Sequence, residues 1–168
     1  MEKVYTEQIV RRESRPSDWL IRFGAIFLTL LICYIMLVVF PQAFAILLAL
    51  GAWFDFILWR RMSKEYEYIF TDGQLDVDCI YSRSTRRSMV SLSSRDFDII
   101  APASDPNYKS LFDKKYDKVL DAGRGGIREN TYIAISNKEE KSLKMLFEPN
   151  EEMLALMHKH MPRTLIMK

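Results

Sequence analysis

Apolar residues fill positions 23–59 almost without interruption, and these 37 positions carry a single formal charge, Asp55. One continuous helix of that length would run about 55 Å against a hydrocarbon core of about 30 Å. The chain must therefore turn back, and Pro41-Gln42 is where it can. Residues 23–40 and 43–59 each predict a helical span of about 26 Å, so the segment predicts a tight transmembrane hairpin.

After Lys64 the period changes from helical to two. Glu65-Tyr66-Glu67-Tyr68-Ile69-Phe70-Thr71 alternates polar and aromatic residues, and Asp72-Gly73 is a hairpin turn signal. Residues 74–80 alternate again, with Leu75, Val77 and Cys79 on one face. Runs at 87–92 and 97–101 continue the pattern until Pro102 stops it, which predicts a four-stranded meander. Asp105-Pro106 predicts the cap of a short helix with Tyr108, Leu111 and Phe112 on one face, and 118–121 predicts a short strand. Two strands follow at 131–136 and 142–147, joined by a charged turn at 137–140. Pro149, Glu151 and Glu152 suit the first turn of a final helix, whose apolar stripe is Met153, Leu154, Met157 and Met161. Up to seven strands closed by one C-terminal amphipathic helix is the order of a pleckstrin-homology-like (PH-like) fold. The expected class is α+β, with an N-terminal segment 1–22, a transmembrane hairpin 23–59 and a soluble PH-like β-sandwich or barrel 63–168.

Composition changes this picture in three places. Mean hydropathy is −0.09 although 49% of residues are hydrophobic, because the apolar ones concentrate in one segment. Arg11, Arg12, Arg15 and Arg22 precede the hairpin, and Arg60, Arg61 and Lys64 follow it. The positive-inside rule then places both termini in the cytoplasm of a multi-pass cell-membrane protein, with Trp19, Trp53 and Trp59 as interfacial anchors. Ala43-Phe44-Ala45 resembles a cleavage site, but the apolar run before it is too long for a signal peptide and a second run follows. Residues 60–168 carry 19 Lys+Arg and 17 Asp+Glu with no concentrated positive stripe, which argues against a nucleic-acid partner. Cys33 in the first span and Cys79 in the soluble part are not placed to pair, which fits a reducing compartment.

Tyr66-Glu67-Tyr68 leading into Thr71-Asp72-Gly73-Gln74-Leu75-Asp76-Val77-Asp78 resembles the hallmark of a family of small bacterial two-pass membrane proteins with a PH-like domain. Arg86-Arg87, Ala101-Pro102, Asn130-Thr131-Tyr132, Phe147-Glu148-Pro149-Asn150-Glu151-Glu152 and Pro162-Arg163 fit the same pattern. The resemblance covers nearly the whole chain. It implies the architecture and a cytoplasmic module, and it brings no activity with it.

Candidate chemistry is sparse. Asp55 is an intramembrane acid, about 7 Å along its helix from Arg60, and suits either the headgroup level or a functional role. Asp76 and Asp78 share a strand face and would be the centre of a divalent-cation or catalytic site, with Asp96 and Asp98 weaker candidates. His158 and His160 stand at i and i+2, a spacing that does not share a metal on a helix. Gly123-Arg124-Gly125-Gly126, with Arg128, would wrap backbone N–H groups and a guanidinium around an anion. Arg83, Arg86, Arg87 and Arg95 are the densest basic cluster and a candidate contact for anionic headgroups. The first hairpin turn is Thr71-Asp72-Gly73 and not basic, which disfavours phosphoinositide recognition. No cofactor motif is present. The leading expectation is a non-enzymatic, membrane-anchored module that binds a protein partner, another copy of itself or the bilayer surface. The alternative is a membrane-associated enzyme or metal sensor built on Asp76 and Asp78.

Overall fold

The structure is a computed structural model that describes residues 5–14, 16–82, 84–138 and 141–167. The chain forms two compact units, residues 14–64 and the combination of 1–13 with 65–168.

The first unit is the hairpin. Helix α1 (Pro16–Val39) and helix α2 (Phe44–Met62) are joined by a 3-10 turn at Pro41–Ala43, where proline ends the first helix and starts the next. Both are long and apolar enough to cross a membrane. Their packing depends on Gly51, because a Cβ there would lie 2.4 Å from Thr29 Cγ2.

The second unit holds two four-stranded sheets. The first has the order β1-β2-β3-β4, with β1 Tyr5–Arg11, β2 Lys64–Thr71, β3 Gln74–Tyr81 and β4 Thr85–Ser93. Asp72 (φ 49°) and Gly73 (φ 81°) close β2 onto β3 in the left-handed conformation that such a two-residue turn requires. The second sheet has the order β5-β7-β8-β6, with β5 Phe97–Pro102, β6 Lys118–Asp121, β7 Tyr132–Lys138 and β8 Lys141–Phe147.

Two expectations are corrected here. Residues 1–22 are not a separate segment: Tyr5–Arg11 is an edge strand, antiparallel to β2 from Tyr5↔Thr71 to Arg11↔Glu65. Its inward positions are Thr6, Gln8 and Val10, two of them polar, so alternation alone did not mark it. The fourth run, 97–101, does not continue the meander. The chain leaves the first sheet at Ser93, whose N–H donates to Asp96 Oδ2, and β5 pairs instead with β7. Strand β6 forms at the expected residues and joins the far edge of the second sheet parallel to β8, after a crossover through a 3-10 turn (Pro106–Tyr108) and the short helix α3 (Lys109–Phe112).

The main core lies between the sheets. Tyr66, Tyr68, Phe70, Leu75, Val77, Cys79 and Leu92 come from the first sheet, and Ile100, Ala134, Met145 and Phe147 from the second. Helix α4 (Glu151–His160) closes it with Met153, Leu154, Leu156 and Met157. Each fully buried large side chain contributes about 1.5–3 kcal/mol relative to exposure. A smaller cluster of Ala101, Phe112, Ile133 and Ile135 lies with Tyr108, Leu111 and Tyr116 under α3. Strand β7 is thus buried on both faces, which explains why it reads as an almost unbroken apolar run. The outer edge of β5 is taken by the C-terminal tail, through Ile100 N–H to Thr164 O and Ile166 N–H to Ile100 O, both 2.8 Å.

Candidate functional site

The Gly-rich loop after β6 is a built site, but its anion is internal. Gly125 and Gly126 take positive φ, so the loop curls and presents the Arg124 N–H inward. That N–H donates to Glu148 Oε1 at 2.9 Å, and Arg124 Nε lies 3.4 Å from Glu148 Oε2. Glu148 is buried, and a Cβ at Gly123 would come within 2.9 Å of its Oε1, so glycine makes room for the carboxylate. Arg128 donates its Nη2 to Glu13 Oε2 at 2.5 Å and its N–H to Thr131 Oγ1 at 2.8 Å. The Arg128 hydrogen bond and charge hold the Glu13 carboxyl below the usual carboxylate range. Glu13 N–H also reaches Arg124 O at 2.8 Å. Arg124 and Arg128 therefore fasten the N-terminal strand and the start of α4 to one loop.

The other basic candidates lie elsewhere. Arg86 on β4 contacts the buried Glu67 carboxylate and stands 3.7 Å from Asp78. Arg87 and Arg95 are exposed, and Arg83 lies outside the described residues. The five described arginines are split between β4, the loop before β5 and the loop after β6.

The acids and histidines are similarly dispersed. Asp76 accepts from Gln74 Nε2 at 3.1 Å, Asp78 faces Arg86, Asp96 caps the turn at Ser93, and Asp98 accepts from Asn137 Nδ2 at 2.5 Å. Among the described residues no group of three or more His, Cys, Asp and Glu is placed to hold a metal. His160 stacks edge-on to Phe70 at 5.4 Å and its Nδ1 meets Leu156 O at 3.1 Å; His158 is half-buried. Asp55 is half-buried in α2 with Oδ1 shielded and without a hydrogen bond. Arg22 is buried in α1 with its guanidinium 5.5 Å from the Trp19 ring and 5.1 Å from Trp59. Cys33 and Cys79 are both buried, and neither is in a disulfide.

What the loop, β7 and α4 enclose is an open groove of about 670 Å³. Pro149, Leu154, Ala155, Met167 and Tyr132 supply apolar walls, with Glu129, Asn130, Asn150 and Glu151 as polar groups. It continues past Asn130 and Asn150 to Arg124, Arg128 and Gln8. Gln8 fixes that end by donating to Glu148 O (2.8 Å) and accepting from Asn150 N–H (2.7 Å). Asn150 in turn caps α4 by accepting from Met153 N–H at 2.8 Å. The groove was not anticipated as a site, because its lining comes from three separated stretches of chain. A signal existed all the same: Asn130-Thr131-Tyr132 and the run from Phe147 to Glu152 both meet there.

No curated protein and no solved structure matches this chain. A family model described as a bacterial PH-like domain (DUF6106) matches residues 2–167, which takes in the N-terminal strand, the hairpin and both sheets, and the chain belongs to that family.

Proposed function

We propose that this protein is a membrane-anchored, non-enzymatic interaction module that holds a protein partner in the groove at the start of α4. The groove is the observation that carries the reading: it is wide, open and walled by apolar side chains, the character of a docking surface. A bilayer-surface role draws less support, because Arg86, Arg124 and Arg128 already face carboxylates of the same chain. Connectivity supports a common side for both termini. Strand β1 precedes the hairpin and β2 follows it, and the two strands pair from end to end, so both ends of the hairpin open toward the same side. Seven basic residues at the hairpin flanks favour the cytoplasm as that side.

Photocrosslinking tests the proposal. A photoreactive residue at Ala155 or Met167 of the full-length protein, activated in native membranes, is expected to capture a discrete cytoplasmic protein. The same residue at Val119, exposed on β6 and outside the groove lining, is the control. Equal labelling at all three positions, or none above background, overturns the groove as a docking site.

A further inference from the structure

The outer face of the first sheet carries a chain of polar groups reaching from one edge strand to the other. Tyr66, Tyr68 and Phe70 point into the core, so Glu67 points the opposite way, yet only 2% of it is exposed. The register Glu7↔Ile69 and Ile9↔Glu67 sets Glu7 diagonally across from Glu67 on that face. The two carboxyl groups are therefore neighbours on that face, one buried and one exposed. Tyr5 OH donates to Glu7 Oε2, and Arg86 from β4 contacts Glu67 Oε2. Arg86 is shared with Asp78 of β3 at 3.7 Å. Further along the sheet, Arg11 and Glu65 pair at 3.9 Å and Asp76 accepts from Gln74. Buried Glu67 and Asp78 thus answer to one guanidinium, with exposed Glu7 beside them. Two ionised carboxyl groups side by side repel, and a buried carboxylate is costly, so a proton kept by the pair relieves both.

We propose that Glu67 and Glu7 hold a single proton between them, and that this proton fastens the N-terminal strand β1 to β2 as a pH-dependent clasp. Burial, then the neighbouring Glu7 carboxyl, pushes the Glu67 carboxyl up from its ordinary value. The Tyr5 hydroxyl, then Glu67, holds Glu7 down. The two act in opposite directions on stability. Raised Glu67 stabilises fully below its unfolded value, and that contribution is lost as pH climbs through its folded value. Depressed Glu7 stabilises above its unfolded value, and that contribution is lost as pH falls through its folded value. The clasp is tightest between the two folded values and opens on the alkaline side, where Glu67 ionises beside Glu7. Since β1 leads directly into the hairpin, opening frees the strand that joins the sheet to its anchor and uncovers the edge of β2.

Two measurements on the full-length protein in lipid nanodiscs test this. Hydrogen exchange of residues 5–11, corrected for intrinsic pH dependence, is expected to lose protection as pH rises above the ordinary glutamate range. One released proton limits the loss to about tenfold per pH unit. Glu67→Gln, which keeps a donor to Glu7 without titrating, is expected to abolish that slope while keeping the low-pH protection. Protection that is flat with pH in the native protein, or that falls equally in Glu67→Gln, overturns the clasp. Titration of the glutamate Cδ carbons by NMR, assigned through bonds in the native protein, is a second test that does not depend on the variant folding. Glu67 is expected to titrate above the ordinary glutamate range, and titration within or below that range overturns the proposal.

Discussion

Glu148 shows how a single side chain sets the use of a loop. A curl of glycines beside two arginines is chemistry suited to an external phosphate, and the same geometry serves a carboxylate from the chain itself. Gly123 leaves the space, the Arg124 N–H and guanidinium supply the donors, and Glu148 fills the cradle. Tyr68 completes the arrangement from beneath: its hydroxyl donates to Ala122 O at 2.6 Å and accepts from Glu148 N–H at 3.3 Å. Burial raises the Tyr68 phenol far above its ordinary value, so it stays a neutral donor throughout the accessible pH range. Tyr68→Phe therefore leaves a buried carbonyl without its donor, at a cost of about 1–3 kcal/mol. Urea unfolding in detergent micelles should show this as a lower midpoint with an unchanged slope, whereas Arg95→Gln on the exposed surface should stay within about 0.5 kcal/mol.

At the level of elements, the hairpin closes through a contact between one glycine and one threonine. In lipid there is no hydrophobic force between helices, so close packing of small residues carries much of the association. Gly51→Ala would place a methyl group 2.4 Å from Thr29 Cγ2, and a β-branched side chain on a helix has little freedom to turn aside. The substitution should weaken helix pairing by about 1–3 kcal/mol, the cost of overpacking. The double variant Gly51→Ala/Thr29→Ala should recover most of it. Energy transfer between probes at the two outer ends of the hairpin, followed through an SDS titration, measures the pairing. An unchanged Gly51→Ala, or no rescue by Thr29→Ala, would show that the helices do not meet there. The hairpin itself was legible, because hydropathy over dozens of residues is a strong signal. Strands β2 and β3 were legible too, since Asp72-Gly73 is a turn that few other conformations tolerate. The move from β4 to β5 was not: a turn that continues one sheet and a corner that changes sheets use the same residues, here Ser93 to Asp96. Parallel β6 and the tail on β5 depend on pairings made across the whole fold, which local alternation does not encode.

For the whole molecule, the most consequential strand is the one hidden at the beginning. With β1 paired to β2, the two hairpin helices become an insertion within a β-hairpin, and the PH-like unit is discontinuous, 1–13 with 65–168. The boundary read from hydropathy, at residue 63, cuts that unit. It discards Val10, 2% exposed in the core, along with the Glu13–Arg128 and Gln8–Asn150 contacts that hold the groove. Losing Val10 burial alone removes about 1.5–3 kcal/mol, and β2 is left as a bare edge open to strand pairing with other copies. The opposite operation should succeed. Arg11 and Glu65 are neighbours across an antiparallel pair, where strands lie about 5 Å apart, so a short Gly-Asn or Gly-Ser linker between Glu13 and Glu65 can replace residues 14–64. The linked protein should be soluble and monomeric without detergent and unfold in one cooperative transition. The fragment 63–168 should unfold at least about 1.5 kcal/mol more easily, the lower end of the Val10 contribution, or self-associate through its open edge. Light scattering and denaturant melts of the two side by side decide the matter. Equal stability and equal monomeric behaviour would mean that β1 is an accessory to the sheet and that the fold begins after the membrane.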